Sequence, residues 1–337
     1  MIDFMKIRKT VAVCLMSAFV GLACLAGPAS AQDKIVFTDL SWDSVMVHNR
    51  VVGFIIKHAY GYDSEYLPGG TTIMFQAVAS GDVDVDMEVW VDNMQRAVKR
   101  AVARKRVIDL GSNFADSWQG WLVPTYLIKG DPERGIKPVA PDLRTVQDLK
   151  KYWKLFKDPE DPTKGRLYGS IAGWSVTPDN ERKFAAYGLE DTFNMFIPGS
   201  DAALSGTMTR AYRKGKAWVG YYWAPTWALG MYDMTRLEEP AYSDEQWEKD
   251  RGCSAPVPRV HIIVNKRLPE KAPELVELLK KYETTTAMNN EFLAHMSAEK
   301  CSADETAIWF LKKHPEVWKT WVSEADAVKV MDALAAI

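Results

Sequence analysis

The stretch PGGTTIMFQAVASGDVDVDMEVW, residues 68–90, decides the fold class. Pro68-Gly69-Gly70 is turn chemistry, and Thr71 or Thr72 can cap a helix that follows it and ends at Gly81. From Val83 to Val89 the chain then alternates strictly. Val83, Val85, Met87 and Val89 face one way, while Asp82, Asp84, Asp86 and Glu88 face the other, the period of a β-strand. The same order recurs outward from this unit. Lys34 to Leu40 is a β-type run, followed by Ser41-Trp42-Asp43 and an apolar helix through Phe54 and Ile55. Arg166 to Ala172 runs into Gly173-Trp174-Ser175, and Thr177-Pro178-Asp179 opens another helix. Ser205 to Lys214 reads as helix, Gly215 ends it, and Ala217 to Trp223 is an aromatic-rich strand before Ala224-Pro225. Arg259 to Asn265 is a further β run, and helical patterning fills the chain from Ala272 to its end. Strands alternating with helices predict an α/β architecture with mainly parallel sheets. The Pro- and Gly-rich loop from Lys129 to Pro141 marks the start of a second lobe.

The first 31 residues read as a secretory signal. Lys6, Arg8 and Lys9 precede an apolar stretch from Val11 to Ala26, and Ala29-Ser30-Ala31 suits cleavage before Gln32. A membrane anchor needs roughly 20 apolar residues, more than this stretch supplies; a lipoprotein cut before Cys24 is the other alternative. Export to the periplasm, with cleavage near Ala31, is expected. That processing leaves Cys253 and Cys301, which an oxidising compartment permits to pair. Spacing alone leaves the disulfide open.

A net charge of −2 over 337 residues offers no broad basic face, so no nucleic-acid partner is expected. None of the histidines (His48, His58, His261, His295, His314) stands in a metal-ligand spacing, and no Cys-x-x-Cys or Gly-rich phosphate loop occurs. No metal and no cofactor are implied. The acidic run Asp82, Asp84, Asp86 lacks the Gly and late Glu of a calcium loop and reads as a solvated strand face.

The chain holds 13 tryptophans, each with an indole N–H that needs a partner when buried, so a shared site is sought among them. Trp42, Trp90, Trp174 and Trp223 each stand at or just past the carboxyl end of a predicted strand. Ligands of open α/β sheets gather there. Trp118, Trp121, Trp153, Trp247, Trp309, Trp318 and Trp321 are assigned to packing or surface. Indole faces attract a cation that has no hydrogen bond to donate, and a trimethylammonium head is such a cation. Period two puts Glu88 on the strand face of Trp90, so a carboxylate is expected beside the ligand. The competing class is a secreted hydrolase using Glu88 and a second carboxylate as acid and base.

These segments carry a resemblance. Val85-Asp86-Met87-Glu88-Val89-Trp90, Ala172-Gly173-Trp174 and Tyr221-Tyr222-Trp223-Ala224-Pro225-Thr226-Trp227 are similar to the glycine betaine/proline betaine class of ABC-importer binding proteins. The resemblance spans nearly all of the mature chain. It implies a two-lobed, hinged, type II-like periplasmic binding protein acting as a monomer, which docks on a permease driven by a separate ATPase. Its aromatic cage maps onto Trp90, Trp174 and Trp223. The lobes are expected to comprise residues 33–124 with 263–337, and 125–262. Trp42 and Trp90 then come from one lobe, Trp174 and Trp223 from the other. Because Glu88 would repel a carboxylate, trimethylamine N-oxide is expected as the best ligand, its oxygen accepting a proton held by Glu88, with glycine betaine and choline next.

Overall fold

The computed structural model describes residues 34–337, so the expected signal segment lies outside the described residues. Among these, ten strands form two sheets of five. The first has the order β2-β1-β3-β10-β4, built from β1 (Lys34–Asp39), β2 (Asp63–Pro68), β3 (Val85–Trp90), β4 (Val107–Phe114) and β10 (Val260–Asn265). The second has the order β7-β6-β8-β5-β9, built from β5 (Trp118–Pro124), β6 (Gly165–Tyr168), β7 (Phe193–Phe196), β8 (Gly220–Ala224) and β9 (Met234–Arg236). Helices fill the connections: α1 (Asp43–Tyr60), α2 (Thr71–Ser80), α3 (Thr177–Ala186), α4 (Asp201–Arg213), and the C-terminal α5 (Thr286–Glu299), α6 (Ala303–Lys313) and α7 (Glu324–Ala335).

The α/β reading holds, but the sheets are mixed rather than mainly parallel. Strand β1 runs parallel to β2 and β3, whereas β10 runs antiparallel to β3 and β4. In the second sheet β6 is parallel to β7 and β8, and β5 is antiparallel to β8 and β9. The two reversed strands are those the chain enters directly from the other sheet, through residues 115–117 and 237–259. A parallel neighbour requires a crossover helix over its own sheet, and neither entry provides one. Strand β5 therefore sits in the second sheet and all of β10 in the first. Boundaries at 124 and 262 would place β5 in the first lobe and split β10.

Strand β3 corrects a second expectation. Asp82, before the strand, is exposed as expected, but the rest of the acidic run is buried: Asp84 is 9%, Asp86 2% and Glu88 1% exposed. The strand lies centrally, between β1 and β10, where neither face meets solvent. Each carboxyl consequently takes protein partners. Asp84 accepts from Val36 N (2.9 Å) and Lys271 Nζ (2.7 Å), and Asp86 accepts from Glu88 N (3.1 Å). Gly81 closes α2 with φ 94°, as the turn before β3 requires.

Helix α1 lays Val45, Val52, Ile55 and Ile56 into the core, and α6 and α7 pack against it. Cys253 is buried and Cys301 partly so, and both are free thiols, so the pairing left open by the sequence is not made. Among the described residues no helix is long and apolar enough to cross a membrane.

Candidate functional site

The four strand-end tryptophans meet. Trp42 is the N-cap of α1, Trp90 ends β3, Trp174 lies in the loop between β6 and α3, and Trp223 belongs to β8. All are less than a tenth exposed. The Trp174 ring stands edge-on to Trp42 (centroids 5.5 Å apart, 81°) and to Trp223 (5.0 Å, 87°). Together with Trp90 they line a narrow cavity of about 30 Å³. Loops at strand ends converge from both sheets here, as open α/β folds dictate.

Thr71, Asn93, Ser175, Val176 and Tyr221 complete the wall. Among the described residues no charged side chain lines the cavity. Tyr221 lies two residues before Trp223 on β8 and presents the same strand face; its ring stacks 6.0 Å from that indole. Period two could have identified it from the sequence. The Tyr221 hydroxyl donates to Gln119 Oε1 (2.8 Å), and Gln119 Nε2 donates to Asn93 Oδ1 (2.7 Å). That chain of bonds ties β8 to the segment after β3. Asn93 carried no sequence signal, since it becomes a wall residue only through this tertiary bond.

Glu88 lies elsewhere than expected. It does not line the cavity and stands behind the indoles that do. Its Oε1 accepts from Trp42 Nε1 (2.8 Å) and Trp90 Nε1 (3.2 Å), and Ser44 Oγ donates to Oε2 (2.8 Å). The shared strand face of Glu88 and Trp90 is real, but β3 is too deep for the carboxyl to reach a ligand past the rings. Burial pushes this carboxyl up to about 8, against the hydrogen bonds from Ser44, Trp42 and Trp90 that pull it down. Two buried indole N–H groups thereby find their partner, and their ring planes are oriented by one acceptor.

The walls from the two sheets are bonded to each other. Thr71 does not cap α2; Gly70 is the N-cap residue. The Thr71 hydroxyl instead donates to Gly173 O (3.2 Å) and accepts from Ser175 N (2.7 Å). Trp174 Nε1 donates to Ser41 Oγ (3.0 Å). Gly70 is required at this seam, because a Cβ there would stand 2.9 Å from Gly173 O. Trp121, by contrast, packs inside the second sheet with its N–H on Asn180 Oδ1 (2.7 Å) and stays outside the site.

Such a cavity presents π faces and few hydrogen bonds. It suits a compact, weakly hydrated cation whose surface is methyl groups.

Residues 33–313 match the family described as the substrate binding domain of ABC-type glycine betaine transport system. The chain is 24% identical over 315 residues to the trimethylamine N-oxide-binding protein of Pelagibacter ubique (strain HTCC1062), covering 91% of this chain and 97% of that protein. Among solved structures, it is similar to the glycine betaine, L-proline ABC transporter binding protein of Borrelia burgdorferi, with a TM-score of 0.71 at 19% identity over 88% of this chain and 100% of that one. It is likewise similar to an ABC-transporter choline binding protein in complex with choline, with a TM-score of 0.70 at 17% identity over 89% of this chain and 98% of that one. These structures share the two-lobed α/β fold.

Proposed function

The chain belongs to the family of substrate-binding domains of ABC-type glycine betaine transport systems, and from that premise we propose that it captures a small methylated amine in the Trp42, Trp90, Trp174 and Trp223 cage for an importer. One body is built on the first sheet and one on the second, and the ligand joins them by touching indoles of both. The observation that carries this reading is the convergence of three indoles, drawn from both sheets, at centroid separations of 5.0–5.5 Å. Desolvated cation–π contacts contribute about 2 kcal/mol each, so three or four faces supply roughly 6–8 kcal/mol, near the 8 kcal/mol of micromolar binding.

Trimethylamine N-oxide is the ligand of first choice, followed by glycine betaine and choline. The relative matched over 91% of the chain carries the N-oxide in its name. The cage wall also offers no cationic side chain for the carboxylate of glycine betaine. The ligand is bound and released unchanged. The competing hydrolase was to use Glu88 as one of its two carboxyls, whereas Glu88 is turned to protein donors and does not line the cage. The protein acts as a single copy in the periplasm, with a membrane permease and an ATPase as partners.

Calorimetric titration of the purified protein with the three compounds tests the assignment. Binding of the N-oxide with the lowest Kd supports it, and tightest binding of glycine betaine overturns the choice of ligand. Failure of all three to bind overturns the cage. Recovery of chemically altered ligand would overturn the binding-protein reading.

A further inference from the structure

Beside the cage lies a second, partly open recess with a free volume of about 10 Å³, which shares Trp42 and Trp223 as walls. Its polar lining is acidic. Asp43 is the first residue of α1 and enters from the first sheet; Asp201 is the first residue of α4 and enters from the second. No lysine, arginine or histidine lines the space. One Asp201 oxygen, Oδ1, is sealed from solvent and has no hydrogen-bond partner, although the edge of the residue stays partly exposed. An orphaned buried acceptor is costly, and a ligand bringing a suitable group would recover that cost.

Two carboxyls lining one recess repel each other's charge, which favours the protonated form of one of them. Burial, and then the charge of Asp43, push Asp201 up to about 7, and burial raises Asp43 as well.

We propose that Asp43 and Asp201 form a selectivity subsite that sorts methylated amines by their polar arm, accepting an oxygen able to share a proton with a carboxyl and rejecting a carboxylate. The inference rests on the cage reading above. An N-oxide oxygen or an alcohol can hydrogen-bond to a carboxyl that keeps its proton. A carboxylate arm meets a like charge with no cation to offset it, and a third acid in the space would have to be neutralised as well. The subsite is assembled from both sheets, so it exists only when the two walls of the cage are together.

The test uses the intact protein, calorimetry and four probes: tetramethylammonium, trimethylamine N-oxide, choline and glycine betaine. Tetramethylammonium has no polar arm and reports the cage alone. In the wild type, glycine betaine is expected to bind at least about tenfold more weakly than the N-oxide or choline, equivalent to about 1.4 kcal/mol. In Asp43→Asn/Asp201→Asn, whose fold is checked by thermal unfolding, the glycine betaine Kd relative to that of tetramethylammonium should fall at least about tenfold. Comparing the N-oxide with choline shows which oxygen the subsite prefers. Glycine betaine bound as tightly as the others by a wild type that also binds tetramethylammonium overturns the subsite and leaves the cage standing. An unchanged ratio in the folded variant overturns it too. If the double variant does not fold, the wild-type ranking and Asp201→Asn decide. A wild type that binds none of the probes overturns the cage reading itself.

Discussion

Substituting Glu88 separates two roles that a buried carboxyl can play. In Glu88→Gln the carboxamide oxygen stays beneath the Trp42 and Trp90 N–H groups, and the new NH₂ faces Ser44 Oγ, which can rotate to accept it. The loss is expected to be about 1 kcal/mol or less. In Glu88→Leu both indole donors are orphaned inside the protein, at roughly 1–3 kcal/mol each, so about 2–6 kcal/mol is lost from a total near 5–15 kcal/mol. The pH dependence sharpens the contrast. The folded-state pKa of Glu88, about 8, lies above its ordinary 4.5, so the folded protein keeps a proton that the unfolded chain releases. The stability from this group is full below about 4.5 and is lost as pH rises through about 8, by at most about 1.4 kcal/mol per pH unit. Glu88→Gln lacks that loss. Asp86, raised by burial to about 6, and His48, lowered by burial to about 3, are present in both proteins. The difference between the two therefore reports Glu88. Urea unfolding followed by tryptophan fluorescence should show the glutamine variant gaining on wild type between about pH 4.5 and about pH 8, with the difference constant above that. Parallel curves, or a leucine variant as stable as the glutamine one, would refute the account of Glu88 as the acceptor that holds the indoles.

Three further outcomes are expected. Trp223→Ala removes one face of the cage, and titration with tetramethylammonium should show a loss of about 2 kcal/mol, roughly 30-fold in Kd, with the fold intact by circular dichroism. Gly70→Ala sets a Cβ 2.9 Å from Gly173 O, so the seam opens without any change to the cage itself; affinity should drop roughly tenfold, and small-angle scattering with ligand present should show a larger radius of gyration. Thiol labelling of the native protein should modify Cys301 and spare Cys253, which is 0% exposed until unfolding. A reductant should leave the Tm unchanged, and a reductant-dependent Tm would contradict the free thiols.

Local signals carried much of this molecule. The alternation over Val83–Val89 is real as a strand, and its hydrophobic face could be read directly. Its acidic face could not, because burial depends on what covers a strand, and only the insertion of β10 beside β3 makes that strand central. Asp84 and Asp86 look like a wet surface in sequence and are interior groups in the fold. The mixed sheets escaped notice for a related reason. Strand direction depends on where the chain arrives from, and β5 and β10 arrive from opposite sheets.

The sequence by itself determined the alternation of strands and helices, the tryptophans at the strand ends, and the family to which those segments belong, since each is written in neighbouring residues within one turn or one pleat. Which wall residues join them was a matter for the tertiary structure. The Thr71 hydroxyl was turned across the seam rather than to a cap of its helix, Glu88 lay behind the rings rather than before them, and Asp43 met Asp201 from the far sheet. Hydrogen-bond partners and shared desolvation are properties of space, and residues far apart in the chain acquire them only when two sheets close on one cavity.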